Sequence, residues 1–171
     1  MWIAADGEEY AVRANGGDWL TAWSPPHAVP DGTPHGACGF CIAEDGGVIL
    51  ISNDGRRWDW PGGRPEADET WEQTFRREML EETCAVVRDA RLLGFCRSVC
   101  RTGPEAGLVL VRSVWRGEVE VLPWAPRFEI PHRRVVPVAD LFAVLEIDPG
   151  WEPVLYRAAF EAGLMPDPSR I

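Results

Sequence analysis

The chain has 171 residues, of which 46% are hydrophobic and 26% charged, a balance that suits a folded globular core. Its formal net charge of -10 excludes a protein that coats nucleic acid, because such binding needs a basic surface to displace counterions. All 17 basic residues are Arg, which excludes a lysine nucleophile or a lysine phosphate clamp, and the longest apolar runs, Val48–Ile51 and Leu108–Val111, are strand-sized rather than membrane-spanning.

The N-terminal third is predicted to be β. Asp6-Gly7 and Asn15-Gly16-Gly17 are turn signals between short runs rich in Trp, Tyr and Val. Residues 24–36 contain four prolines and are expected to form a loop or linker. A hairpin is predicted next, Ala37–Ala43 and Val48–Ser52 about a turn at Asp45-Gly46-Gly47, followed by a turn at Asn53–Arg57. Trp58–Gly63 leads into a loop ending near Thr70. The clearest helix is 71–83, with Thr70 and Gln73 at capping-box spacing. Strands are predicted at Ala90–Ser98, Gly107–Trp115, Glu118–Leu122 and Arg133–Val138, with a Pro-interrupted stretch at Pro123–Pro131. A short helix is expected over Ala139–Leu145 and a last one over Trp151–Ala162, starting at Asp148 or Pro149 and followed by Gly163. Strands mixed with two or three helices indicate an α/β or α+β sandwich.

The N-terminus has neither a basic start nor a long apolar stretch, so no secretory signal is read there and a cytoplasmic location is expected by default. Five cysteines, an odd number, argue against a disulfide framework. Cys38 and Cys41 have half a zinc-knuckle spacing, and Cys96 with Cys100 would supply two more thiolates. On a strand, however, Cys38 and Cys41 point to opposite faces, and small buried cysteines are the plainer reading.

The chemistry is concentrated on the 71–83 helix. At about 100° per residue, Glu78, Glu81 and Glu82 share an arc of about 100°. Trp71, Phe75 and Met79 lie close to that arc, so the carboxylates extend the inward-facing side of the helix instead of opposing it. Like charges at such spacing destabilise an isolated helix. Turned toward a protein body, they need a cation or protons. A hard divalent ion suits them, since magnesium prefers a few carboxylates plus phosphate oxygens and waters. Just upstream, Trp60-Pro61-Gly62-Gly63-Arg64 places two glycines where a backbone can approach a phosphate closely.

These residues together resemble the Nudix family. Gly63, five residues, Glu69, seven residues, then Arg77-Glu78-Met79-Leu80-Glu81-Glu82-Thr83-Cys84-Ala85 is similar to the family's box. Six of its seven fixed residues match, a coincidence of order ~10⁻⁷ per start position from average residue usage. Cys84 stands where the family has a Gly that ends the helix at positive φ, and Ala85 stands in for a larger aliphatic residue. The resemblance implies an α/β fold, an α/β/α sandwich with a mixed sheet. It implies one domain over 1–171, with 1–34 as an N-terminal β extension and Pro-rich linker and 35–171 as the core with its C-terminal helix.

For function, the resemblance implies a Mg²⁺-dependent pyrophosphohydrolase, with Mn²⁺ as a substitute metal. Its substrate would be a small nucleoside diphosphate linked to another moiety. Glu78, Glu81 and Glu82 would hold the metal, and Glu78 or a later glutamate would help activate water. Arg77 and Glu69 are expected to pair and brace the loop against the helix. Candidate later carboxylates are Glu105, Glu118, Glu120 and Glu129, with Glu129 ranked first for its aromatic, Pro-rich surroundings. Substrate contacts are expected from Gly62, Gly63, Arg64, Arg97, Arg101 and Trp58 or Trp60, because Arg pairs with phosphate and Trp stacks a base. His27, His35 and His132 receive no role. About fifteen residues past the box, where some subgroups carry a marker Pro or Tyr, stand Cys100, Arg101 and Thr102; nucleoside triphosphates are favoured by elimination. No membrane and no bulk nucleic acid are expected as partners. The N-terminal Trp2, Trp19 and Trp23 would pack the meander on the sheet, form a homodimer surface or cover the site. The competing reading is a catalytically silent Nudix-like module that binds nucleotides.

Overall fold

Asn15 and Gly16 adopt φ of 51° and 72°, the pair of left-handed residues that a two-residue hairpin turn requires. They join β1 (Glu9–Ala14) to β2 (Gly17–Ser24) in antiparallel register, with Ala14 opposite Gly17 and Glu9 opposite Ala22. The computed structural model describes residues 2–165. Met1 and the last six residues of the expected core, 166–171, lie outside the described residues.

The chain forms two compact units, the first drawn from 1–35, 93–114 and 147–171 and the second from 36–92 and 115–146. The remaining strands are β3 (Thr33–Ile42), β4 (Val48–Ser52), β5 (Gly62–Gly63), β6 (Ala85–Cys100), β7 (Val109–Val121) and β8 (His132–Val136). The helices are α1 (Trp71–Thr83), α2 (Leu141–Val144), preceded by a 3₁₀ turn at Val138–Asp140, and α3 (Glu152–Glu161). Strands β6 and β7 are long enough to give each unit a segment.

In the first unit the strand order is β1-β2-β6-β7. Strand β2 pairs antiparallel with β6, Trp19 opposite Cys100 and Trp23 opposite Cys96. Val12, Trp19 and Cys100 are buried together, with Ala14, Leu110 and Trp151 packed against them. Arg157 of α3 donates to the carbonyl of Ala4 at 2.9 Å and pairs with Asp6 at 2.9 Å, which fixes the N-terminal segment on the helix. Of the three N-terminal tryptophans, Trp19 and Trp23 are therefore core residues of this unit, whereas Trp2 is exposed.

In the second unit the order is β6-β7-β3-β4-β8, with β5 paired to β3. The registers β3–β4, β3–β5 and β4–β8 are antiparallel, and a parallel bridge joins Trp58 to Leu145, so the pairing is mixed. Helix α1 starts at Thr70, whose side chain accepts from Gln73 N–H while Gln73 accepts from Thr70 N–H. This reciprocal cap satisfies two otherwise orphaned donors. The helix lays Phe75 and Met79, both fully buried, on Ala37, Cys41, Ile49, Ala85, Val87, Trp115 and Val119. Phe75 stacks on Trp115 with ring centroids 5.7 Å apart. Each such buried side chain contributes roughly 1.5–3 kcal/mol, which anchors the helix that carries the carboxylates. Cys41 belongs to this core, and burial pushes its thiol far above the ordinary range, the opposite of what a metal-binding thiolate needs. Cys38, Cys96 and Cys100 are likewise buried.

The structure corrects several boundaries. Strand β3 begins at Thr33, inside the expected linker, because Pro34 sits in its exposed first turn, where a missing N–H costs no buried bond. Gly62 and Gly63, expected as loop, pair with Cys38 and Ala37. Strand β6 starts at Ala85, directly after the helix, and the two strands expected at 107–122 are one, β7, running through Gly117. Any side chain at Gly117 would press on the Phe75 ring, 3.1 Å away. Helix α3 is capped at Trp151 rather than at Asp148 or Pro149, with Pro153 in its first turn.

Candidate functional site

The site lies in the second unit, where β5 meets the inner face of α1. Gly62 and Gly63 are needed for closeness rather than for unusual torsion. A Cβ on Gly62 would strike Cys38, and one on Gly63 would strike the carboxyl group of Glu78. With no side chains in the way, the backbone of β5 slides against the helix carboxylates, and Gly62 N–H donates to Oε2 of Glu82 at 2.9 Å.

Arg77 is the hub of the helix. Its Nε and Nη2 grip both oxygens of Glu69 at 2.9 Å each, and Nη2 also donates to the carbonyl of Arg64 at 2.8 Å. Its Nη1 donates to Glu78 at 2.9 Å and to Glu81 at 3.0 Å. The expected Arg77–Glu69 pair thus ties the loop to the helix in a two-pronged geometry that Lys cannot reproduce. Glu69 also accepts from Glu66 N–H at 2.6 Å. Arg77 first of all holds the Glu69 carboxyl below its usual range.

Glu78 and Glu82 show the opposite behaviour. Burial raises the Glu78 pKa, with Arg77 pulling against it. Burial also pushes Glu82 up to about 7, opposed by the Gly62 N–H and reinforced by the charges of Glu78, Asp59 and Glu129. Among the described residues Glu82 therefore has one hydrogen-bond donor and a surrounding of like charges, an environment that favours a proton or a cation. Among the described residues no three carboxylate, His or Cys side chains are grouped as a ready metal cage. Arg77 draws Glu78 and Glu81 to itself while Glu82 faces Gly62. As a donor set the carboxylates are hard oxygens flanking a half-buried carboxylate short of positive charge, which suits a hard divalent cation.

The other sequence-derived residues fall in different places. Trp60 is half-buried, tilted on Phe40 with centroids 5.2 Å apart. Arg134 lies over the Trp58 ring at 5.9 Å. The Arg64 side chain is exposed. Arg97 and Arg101 belong to the first unit, where Arg97 Nε donates to the Asp31 carbonyl at 2.9 Å. Of the later carboxylates, Glu105 accepts from Asn15, Glu118 pairs with Arg116 and Glu120 pairs with Arg88. Glu129 is the one whose charge bears on Glu82.

Sequence reasoning missed two residues. Asp59, flanked by two tryptophans that drew attention to themselves, adds to the negative surroundings of Glu82. Arg133 donates to the carbonyls of Thr83 at 2.8 Å and Leu122 at 2.9 Å, so it caps the end of α1 from a distant strand. Nothing local in the sequence marks such a long-range cap.

Comparison with known proteins agrees with this geometry. The family model described as NUDIX domain matches residues 32–158. A MutT-like protein of Streptomyces ambofaciens is 30% identical over 137 residues, covering 74% of this chain and 80% of its own. Among solved structures, a Bacillus subtilis pyrophosphohydrolase, BsRppH, is similar with a TM-score of 0.58 at 23% identity, over 68% of this chain and 71% of that chain. The Nudix domain of Shewanella oneidensis NrtR, solved with ADP ribose, has a TM-score of 0.55 at 18% identity, over 79% and 91%. At these identities the solved structures speak for a shared fold. No helix of the described residues is long and apolar enough to cross a membrane.

Proposed function

This chain belongs to the Nudix hydrolase family, whose members act on pyrophosphate bonds, and on that premise we propose that it is a Mg²⁺-dependent pyrophosphohydrolase of small nucleotides, with nucleoside triphosphates as the favoured substrates. The observation that carries the reading is Glu82: half-buried, held by one N–H, and surrounded by Glu78, Asp59 and Glu129. Evolution of a stable fold alone gives no reason to keep such a group, because unpaired buried charge is costly.

Glu78, Glu81 and Glu82 would hold the metal, with Mn²⁺ as a substitute. When bound, a divalent ion neutralises phosphate oxygens and lowers the pKa of a water. The protein's own groups do the rest. Arg77 and Glu69 act as positioning residues, since their pairing fixes the loop that presents Gly62 and Gly63. The lack of side chains at Gly62 and Gly63 leaves room for the Glu78 and Glu82 carboxylates against β5, where they would meet a bound ion and the phosphate it carries. Arg64, the exposed next residue, would meet further phosphate charge. Glu129 is the candidate for accepting a proton from the attacking water, as the late carboxylate within electrostatic reach of Glu82. Trp60 remains a candidate for holding the rest of the substrate. Relatives acting as a pyrophosphohydrolase or solved with ADP ribose support a phosphoanhydride-bearing ligand.

One observation favours the second reading, a silent nucleotide-binding module: the guanidinium of Arg77 already neutralises Glu78 and Glu81. A phosphate-release screen separates the two. Nucleoside triphosphates, nucleotide sugars, ADP-ribose and dinucleoside polyphosphates are each incubated with Mg²⁺ and with chelator, and the products identified. Chelator-sensitive hydrolysis of one class is expected. Binding of nucleotide with no hydrolysis of any class would establish the silent module instead.

A further inference from the structure

Helix α1 has a second stripe beside the one that packs on the core. Arg77, Leu80, Glu81 and Cys84 stand at i, i+3, i+4 and i+7, on one face of the helix. The core is served by Phe75 and Met79 instead. Opposite this stripe runs the 122–128 segment, and the two enclose a cleft of about 520 Å³, within the roughly 300–1,000 Å³ of small-ligand sites. Leu80 is 49% exposed and Phe128 58% exposed. Both border this cleft, whose remaining walls include Leu122 and Pro123. Two large apolar side chains left open on either side of a cleft mark a surface that another apolar group covers.

The cleft is continuous with the proposed catalytic site, because Arg77 and Glu81 line it as well as joining the hydrogen-bonded set around Glu78. Its lining contains no Asn, Gln, Ser or Thr, and two of its charged side chains that could meet a base edge, Arg77 and Glu81, are bonded to each other. The one thiol, Cys84 Sγ, is engaged with the carbonyl of Ala125 at 3.5 Å. Arg127 is the remaining charged group and has a flat guanidinium that stacks as well as pairs. We infer that this cleft holds the aromatic base of the nucleotide by stacking and burial between Leu80 and Phe128, without reading the base edge, so that the protein is tolerant of base identity. The inference rests on the reading of the substrate as a nucleotide and names the subsite for its base.

Cys84 provides the test. Of the five cysteines the other four are buried, and Cys84 alone is half-open and lines the cleft. Its alkylation by iodoacetamide, followed by mass spectrometry on the metal-free protein, reports occupancy without turnover. Saturating AMP is expected to slow alkylation several-fold, with GMP and CMP nearly as effective and ribose 5-phosphate without effect. Phe128→Ala is expected to weaken AMP protection about tenfold in concentration, the usual loss of one stacking partner, and Phe128→Trp to retain it. Protection by ribose 5-phosphate equal to that by AMP, or AMP protection unchanged in Phe128→Ala, overturns the inference. The two readings fail separately. Hydrolysis of nucleotides with no protection of Cys84 removes the base subsite and spares the catalytic reading. Protection by AMP with no hydrolysis of any phosphoanhydride does the reverse.

Discussion

The backbone N–H of Gly62 donates to the Glu82 carboxylate at 2.9 Å, joining the Gly-Gly strand to a helix residue twenty positions later. Among the described residues this N–H is the one donor to Glu82, and the charges of Glu78, Asp59 and Glu129 around it are negative. Glu82→Gln keeps an oxygen for the Gly62 N–H but removes the charge that a divalent ion would need. Turnover is expected to fall by at least about 100-fold, the loss of some 2.7 kcal/mol of transition-state stabilisation. Circular dichroism and the melting temperature should stay at or above wild type near neutral pH. Activity close to wild type in this variant would remove Glu82 from the metal site.

The same residue sets a pH dependence whose sign is opposite to that of a salt-bridged carboxylate. Glu82 titrates near 7 in the folded chain against 4.5 for an ordinary glutamate. The folded state therefore holds a proton that the unfolded state has lost between these values. Its contribution to stability is complete below about pH 4.5 and fades as pH rises through 7. Without metal, the melting temperature is expected to drop across that window, beyond the trend of a Glu82→Gln control. Mg²⁺ or Mn²⁺ should reverse the drop at pH 7.5 or above, because the ion takes the place of the proton. Parallel melting curves for wild type and Glu82→Gln from pH 5 to 8 would show that Glu82 is not the group responsible.

Arg77 predicts a separable effect. It bonds Glu69, Glu78, Glu81 and the Arg64 carbonyl at once, so truncation leaves several partly buried groups unpaired. Arg77→Ala is expected to cost about 2–3 kcal/mol in denaturant melts. Arg77→Lys should recover only part, because an ammonium cannot grip both Glu69 oxygens. Since truncation also frees Glu78 and Glu81, added Mg²⁺ should stabilise Arg77→Ala more than it stabilises wild type. Equal stabilisation of both proteins would mean that Arg77 and the ion do not compete for those carboxylates.

The legible parts of this molecule were those written in local chemistry. Thr70 and Gln73 announce the start of α1, Asn15-Gly16 announces the first hairpin, and the spacing from Gly63 to Glu82 announces the box; the structure places the helix and the hairpin accordingly. What escaped was set by contacts distant in sequence. Gly117, which reads locally as a break, lies inside β7 because the Phe75 ring from the helix takes the space a side chain would fill. The burial of Trp19 and Trp23 depends on β6, some seventy residues later. The splitting of the three glutamates into an Arg77-bound pair and a Gly62-bound third also could not be read from a helical wheel. A wheel gives directions in space but not which partner reaches a carboxylate first.

The helix end supplies the last prediction. Cys84 caps α1 with φ 50° and ψ 43°, the left-handed conformation that the family's usual Gly adopts freely. A side chain with a Cβ is strained there by about 1 kcal/mol. Two features offset that strain: Arg133 ties down the carbonyls of Thr83 and Leu122, and Cys84 Sγ reaches Ala125. Because the Arg133 clamp acts on backbone carbonyls, it survives removal of the thiol. Cys84→Gly is therefore expected to raise the melting temperature by roughly 2–4 °C for a chain of this size. Cys84→Val, with a branched Cβ at the same torsion, should lower it. If Cys84→Gly instead melts below wild type, the contact from Sγ to Ala125 outweighs the left-handed strain, and the thiol is a structural part of the wall that it forms with the 122–128 segment.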